Sequence, residues 1–215
     1  MNNRTRPQVS PSPKPRPPAP ATPRRRLPPE ILSHDEVEAL LAACAGESST
    51  ALRNRALIAL LYRAGLRINE ALNMRPKDVD LDGGVVRVLF GKGGRYRAVG
   101  IDPAGADVIR AWATRRAELC IAPNAPLLCT LRGTAVADAY VRRLLPKLAA
   151  RAGILKRVHA HGLRHTHAAQ LRSEGVDIGL ISKQLGHASI TTTARYLDHI
   201  QPTAVIDAMR RRTWA

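Results

Sequence analysis

Aromatic residues are almost missing from this sequence: one Phe, two Trp and four Tyr occur in 215 residues. The core must therefore be built from Leu, Ala, Val and Ile. Cysteine is scarce as well. Cys44, Cys120 and Cys129 are odd in number and far apart, and no CxxC pair occurs. That argues against a zinc finger and against a disulfide framework. It fits structural thiols in a reducing cytosol, hence a cytoplasmic protein. No apolar run approaches the ~18 residues of a membrane span, and no apolar leader segment follows the N-terminus, so no membrane association is expected. Acidic residues are the third shortage: 17 Asp and Glu stand against 34 Lys and Arg, a net charge of +17. So large an excess suggests a polyanionic partner, and nucleic acid is the usual one. Charge alone leaves a ribosomal-type RNA binder open.

Proline is plentiful but unevenly placed. Residues 1–28, "MNNRTRPQVSPSPKPRPPAPATPRRRLP", hold nine Pro and seven Lys or Arg and no acid. Proline at that density forbids helix and leaves too little apolar surface to fold, which predicts a disordered Pro/Arg-rich tail. Without the tail's seven cations, residues 29–215 still carry +10. The tail can add non-specific phosphate contacts or serve as a passive linker.

The folded body begins near Leu32. "SHDE" reads as a capping box, with Ser33 at N-cap and Glu36 at N3. Val37, Leu40, Leu41 and Cys44 then share one helical face. A second helix is expected over 50–64, stopped by Gly65, and a third over 68–74, closed by Pro76. "VVRVLFGKGGRYRAVGI" alternates around a Gly-rich turn, which predicts a β-hairpin. Asp102-Pro103 opens a helix to about 118, and 126–129 suggests a short strand. Helices follow over 135–152, with a kink or break at Pro146, and over 162–173, 177–185, 190–196 and 202–211. The class is mainly α with a small antiparallel β-sheet (α+β).

One stretch stands out. "HGLRHTHAAQL" puts His161, Arg164, His165 and His167 on two turns of one helix. His161 and His165 have the i, i+4 spacing of a zinc pair. No acidic residue lies between Lys156 and Leu171 to complete such a site, so no metal is expected. His161 and Arg164, three apart, share a face instead. Arginine is the side chain whose planar, permanently charged fork matches a phosphate.

Five stretches then follow in order: "AGLRINEAL" (64–72), "GKGGRYR" (91–97), "HGLRHTHA" (161–168), "LGHASITTT" (185–193) and "ARYL" (194–197). Taken singly, their residues have plain alternatives. Arg67 and Arg164 could be surface arginines, Glu70 a first-turn acid, Lys92 a turn lysine, His187 a helix cap and Tyr196 a helix aromatic. Together the stretches resemble the catalytic domain of the tyrosine recombinases, the phage integrase family, over roughly residues 30–211. The resemblance implies that fold, with residues 29–215 as the catalytic domain. It also implies DNA strand cleavage and rejoining through a 3′-phosphotyrosyl link, serving integration, excision or inversion, with no cofactor and no metal.

The resemblance assigns roles by position. Tyr196 matches the nucleophile. Arg67 and Arg164 match the two arginines that hold the phosphate, with Glu70 buttressing Arg67. Lys92 matches the lysine that protonates the leaving 5′ oxygen, and His161 the general base or acid. His187 matches the donor to a non-bridging oxygen. His165 is expected to pack or hydrogen-bond beneath the site. His167 stands where the family usually has an apolar or aromatic residue, and takes no role. Arg95 and Arg97 read as phosphate contacts or as a solvated strand face. Thr191, Thr192 and Thr193 read as the opening cap of the helix bearing Tyr196.

Typical members carry a separate helical domain before the catalytic one, and the two clamp double-stranded DNA. The tail occupies that place here, so the resemblance is to a compact form lacking the N-terminal core-binding domain. DNA affinity would then fall to the tail or to an accessory DNA-binding protein. The 202–211 helix, with Val205, Ile206 and Met209 on one side, matches a tail that docks on a neighbouring subunit in a homotetramer on two DNA sites. Docking on its own core is the alternative. A type IB topoisomerase would share the chemistry without pairing two sites, but the "GLRINEAL" and "LGHASITTT" wording favours the recombinase. The intact set of Arg67, Lys92, His161, Arg164, His187 and Tyr196 argues against a non-catalytic DNA-binding relic.

Overall fold

A computed structural model describes residues 30–89, 96–187, 189, 191, 193–194 and 209–212. The tail over 1–28, the hairpin tip with Lys92 and Arg95, and the segment with Tyr196 lie outside these residues. So do most of the helices expected over 190–196 and 202–211; Thr191, Thr193, Ala194, Met209 and Arg210 are helical.

Helix α1 (His34–Ala42) opens on the expected capping box: the Ser33 Oγ accepts from the Glu36 amide at 3.1 Å, and Glu36 Oε2 accepts from the Ser33 amide at 2.7 Å. Helix α2 (Ser49–Tyr62) is buried on nearly every side, including Arg53 and Asn54, which bond to each other and to Tyr140. It is the central post of the fold and packs against α4 (Pro103–Glu118) and α6 (Ala160–Ser173). Helix α3 (Ile68–Asn73) follows, then a 3-10 turn at Pro76–Asp78.

The sheet has three antiparallel strands in sequence order. The hairpin strands are β2 (Val85–Val88) and β3 (Arg97–Gly100), with Val88 opposite Arg97. The third, β1 (Val79–Asp80), was not foreseen. Two residues show no alternation to read, and β1 exists by pairing Val79 with Val86. Helices α5 (Asp138–Arg151) and α7 (Ile178–Leu185) complete the described elements.

Three expectations are corrected. The strand over 126–129 is a single bridge between Cys129 and Ala135. That bridge holds Ala135 in extended backbone, so α5 begins at Asp138 rather than 135. Nor does Pro146 break α5, which runs through it to Arg151. Pro146 and Arg142 lie on the solvent side, where water can satisfy the Arg142 carbonyl that Pro146 cannot serve.

The main core is aliphatic, as the composition requires. Its two large aromatics are Trp112, whose Nε1 donates to the Leu127 carbonyl at 2.7 Å, and Tyr62. A smaller cluster of Ala168, Ile181 and Leu185 joins α6 to α7. Arg164 is the exception among the largest fully buried side chains.

The break after α2 is a tightly specified point. Gly65 has φ +63°, a conformation that side chains strain to adopt. A Cβ there would also stand 2.4 Å from Cδ2 of His167. Gly65→Ala is expected to cost roughly 2–4 kcal/mol, combining left-handed strain with overpacking. Urea unfolding would read it, and an unchanged midpoint would refute the tight fit.

Candidate active site

Two chain breaks and one helix turn bring the predicted phosphate-holding residues together. Arg67 follows the Gly65 break and stands at the N-cap of α3. Arg164 lies in the second turn of α6. His187 follows Gly186, which ends α7 with φ +62°. The Arg164 guanidinium is 1% exposed and donates to the Gly65 carbonyl at 2.5 Å and to the Leu185 carbonyl. Both acceptors lie where helices α2 and α7 end, at the negative end of their dipoles, which is how a buried cation is tolerated there. The same guanidinium lies 3.5 Å from His187 Nε2. Arg67 reaches the neighbouring Gly186 carbonyl at 3.4 Å. Arg67, Arg164 and His187 are thus gathered around residues 185–187.

Glu70 fastens this arrangement. It accepts from the Arg67 amide at 2.8 Å and from the Arg67 guanidinium at 2.9 Å. Arg97 binds the same carboxylate through two bonds of 2.8 Å. The Glu70 side chain is 3% exposed. Burial is the largest single influence and pushes its pKa up. The bonds from Arg97 and from Arg67 together outweigh it and hold the group at about 2.

Arg97 therefore has a role the sequence reading missed. It is not a solvated strand face but half of a buried, bidentate ion pair. A signal was available: on β3, Arg97 shares a face with the buried Val99. Its stem also lies against Gly186, where a Cβ would stand 2.7 Å from Arg97 Cδ. Arg97 ties the hairpin to α3 and to the turn carrying His187.

The histidines divide by environment. His161 lies nearer the solvent, and its pKa is lowered first by lost hydration and then by the charges of Arg164, His159 and Arg67. His165 packs edge-to-face on His161, with ring centroids 4.2 Å apart. Burial, then neighbouring His161, His159 and Arg164, lower it to about 3. Burial and Arg164 lower His167 to about 4, and its Nε2 has no hydrogen-bond partner among the described residues. Burial, Arg164, Arg67, Arg97 and His161 lower His187 to about 4. At neutral pH the cluster is neutral imidazole around two guanidinium ions. Among the described residues, no group of three His, Cys, Asp or Glu is placed to hold a metal ion.

Thr193 does not take the helix-cap position its sequence suggests. Instead the Ser189 Oγ accepts from the Thr191 amide at 3.2 Å, and the fully buried Thr193 turns its hydroxyl to His187 Nδ1 at 2.8 Å. Of the predicted site residues, Arg67, His161, Arg164 and His187 are brought together; Lys92 and Tyr196 fall outside the described residues.

Helices around a small sheet, with two arginines fixed at chain breaks, define the catalytic domain of a tyrosine recombinase. Residues 30–201 match the phage integrase family, and the chain belongs to it. The tyrosine recombinase XerD of Mycobacterium leprae is 37% identical over 204 residues, covering 90% of this chain and 62% of that protein. A crystal structure of the XerA recombinase superposes with a TM-score of 0.76 at 30% identity, over 86% of this chain and 66% of the other. The XerH site-specific recombinase, bound to a palindromic difH substrate in a post-cleavage complex, gives 0.71 at 31% identity, over 84% of this chain and 52% of the other. The chain spans 55–62% of the length of curated relatives it matches. Among the described residues, no helix is long and apolar enough to cross a membrane.

Proposed function

We propose that this protein is a site-specific recombinase that cuts and rejoins double-stranded DNA through a 3′-phosphotyrosyl link. Residues 29–215 serve as its catalytic domain behind a basic tail over 1–28. The observation that carries this reading is the convergence of Arg67, Arg164 and His187 on residues 185–187, with His161 in their field. Such fixed donors suit the charge that develops on a pentavalent phosphorus.

In this reading the Tyr196 oxygen attacks the phosphorus and gives its proton to His161. His161 is fit to accept it because its lowered pKa keeps it neutral. The bond from phosphorus to the 5′ oxygen breaks, and Lys92 protonates that oxygen. Arg67, Arg164 and His187 hold the non-bridging oxygens. Rejoining reverses each step, with a 5′ hydroxyl attacking the phosphotyrosine. One phosphodiester replaces another, so no energy-donating cofactor enters the sequence.

DNA as partner is supported by the +10 charge of residues 29–215 and by the difH complex of XerH. The Arg143, Lys147 and Arg151 row on the exposed side of α5 adds cations four residues apart. A homotetramer on two sites is the working assembly, and an accessory DNA-binding protein or the tail supplies further grip. Action on DNA places the protein in the cytoplasm.

Covalent trapping tests the reading. Nicked duplexes from DNA flanking the gene, incubated without metal, should leave a nucleotide remnant on the tryptic peptide Tyr196–Arg210. Tyr196→Phe should lose the adduct while still binding. Wild-type protein that binds the duplex yet forms no adduct would reduce it to a DNA binder.

A further inference from the structure

Thr193 holds the hidden side of His187. Its side chain is 0% exposed and its Oγ1 lies 2.8 Å from Nδ1, while Nε2 is turned toward Arg164 at 3.5 Å. A neutral imidazole carries one proton, so its two nitrogens cannot play the same part. With the proton on Nδ1, the ring donates to Thr193 and offers Nε2 as an acceptor. With the proton on Nε2, the ring accepts from the Thr193 hydroxyl and points a donor into the site.

Which form is favoured depends on what faces Nε2. Arg164 can only donate, so in the DNA-free protein it favours an acceptor at Nε2 and the proton on Nδ1. A phosphate oxygen can only accept, so it favours the proton on Nε2. A hydroxyl serves either form, because it donates as readily as it accepts. Valine, of the same shape, serves neither. Ser189 already caps the Thr191 amide, which leaves the Thr193 hydroxyl to His187.

We propose that Thr193 is a positioning residue that lets His187 change tautomer when the scissile phosphate arrives, reversing its own bond from acceptor to donor. This rests on the recombinase reading above. No net proton is gained or lost: the Nδ1 proton passes to water and Nε2 takes one from water. The hydroxyl then pins Nδ1, and Nε2–H meets the non-bridging oxygen with its direction already set.

The test compares wild type, Thr193→Val and Thr193→Ser on a nicked duplex, by binding and by single-turnover formation of the covalent adduct. Nitrogen-15 spectra of the His187 ring, free and with duplex in a Tyr196→Phe background, report its tautomer. Thr193→Val should bind DNA as wild type does but form the adduct about 100-fold more slowly, the loss typical of one misdirected donor. Thr193→Ser should restore the rate. The His187 proton should sit on Nδ1 in the free protein and on Nε2 with DNA. If wild type and Thr193→Val cut equally, or the proton stays on Nδ1 with DNA bound, the proposal is overturned while the recombinase reading stands. If wild type binds but forms no adduct, that reading fails, and the spectra still decide the tautomer. A protein that neither binds nor cuts the duplex overturns both.

Discussion

Arg164→Ala should abolish DNA cleavage and cost about 3–5 kcal/mol of stability, among the largest effects of any single change in this protein. The stability cost follows from geometry. The guanidinium is 1% exposed and serves the carbonyls of Gly65 and Leu185, 99 and 21 residues away in sequence. Alanine would leave both acceptors facing a cavity, and each unpaired buried carbonyl costs about 1–3 kcal/mol. The two helix ends that meet there, after α2 and at α7, would lose their shared donor. The loss of activity follows from charge, since a fixed guanidinium facing the phosphate is worth about 10²–10³ in rate or more.

Arg164→Lys separates the two effects. It keeps a positive charge but has one compact head, which cannot span both carbonyls and still meet a phosphate. It should fold with a smaller loss of stability and cut at least about 100-fold more slowly. Urea midpoints and single-turnover cleavage would be measured together. A lysine variant that cuts at the wild-type rate would show that planar, two-sided donation is not what this position supplies.

Acid should unfold the protein steeply over a range where most proteins are near their optimum. Histidine in an unfolded chain takes its proton near pH 6.5. In the fold, His165 waits until about 3 and His167 until about 4. Between those limits the unfolded chain binds protons that the folded chain refuses. Stability is therefore complete above about pH 6.5, falls as the pH drops toward 4, and levels off below the folded values. From pH 7 to 5 these two buried rings should together cost on the order of 3 kcal/mol. His187, lowered to about 4, acts in the same direction. Glu70 continues it at lower pH: its carboxylate, held at about 2, contributes stability that is lost as the pH falls below the ordinary carboxylate range. Urea midpoints from pH 8 to 5 would measure the slope. A flat profile, with His167 titrating near 6.5 by proton NMR, would show that these rings are hydrated.

Much of the fold was legible because its signals are local. The Ser33–Glu36 box acts across three residues. Gly65 and Gly186 mark helix ends because no other residue takes their backbone angles at so little cost. The alternation of Val85–Val88 shows a strand. Where a signal was not local, the reading slipped. The chain at Ala135 reads as helix until the Cys129 bridge holds it extended. Proline at 146 reads as a break until the carbonyl it deprives proves to face water.

The candidate site divides in the same way. Sequence by itself displayed the motifs that carry the family resemblance, and their order: Arg67, Lys92, His161, Arg164, His187 and Tyr196 are each matched from their immediate neighbours. It also determined the basic charge and the aliphatic core. Tertiary structure alone decided that Arg164 is buried rather than on the surface, and that Arg97 is paired with Glu70 rather than solvated. It alone turned the Thr193 hydroxyl to His187 instead of capping a helix. The reason is distance along the chain. A cap or a turn is stabilised by groups within a few residues, and the sequence displays them side by side. The Arg67–Gly186 contact joins residues 119 apart, and the Arg97–Glu70 pair joins a strand to a helix. Such contacts exist only once α2, α6 and α7 have packed, because packing sets which polar groups lose water and must find one another.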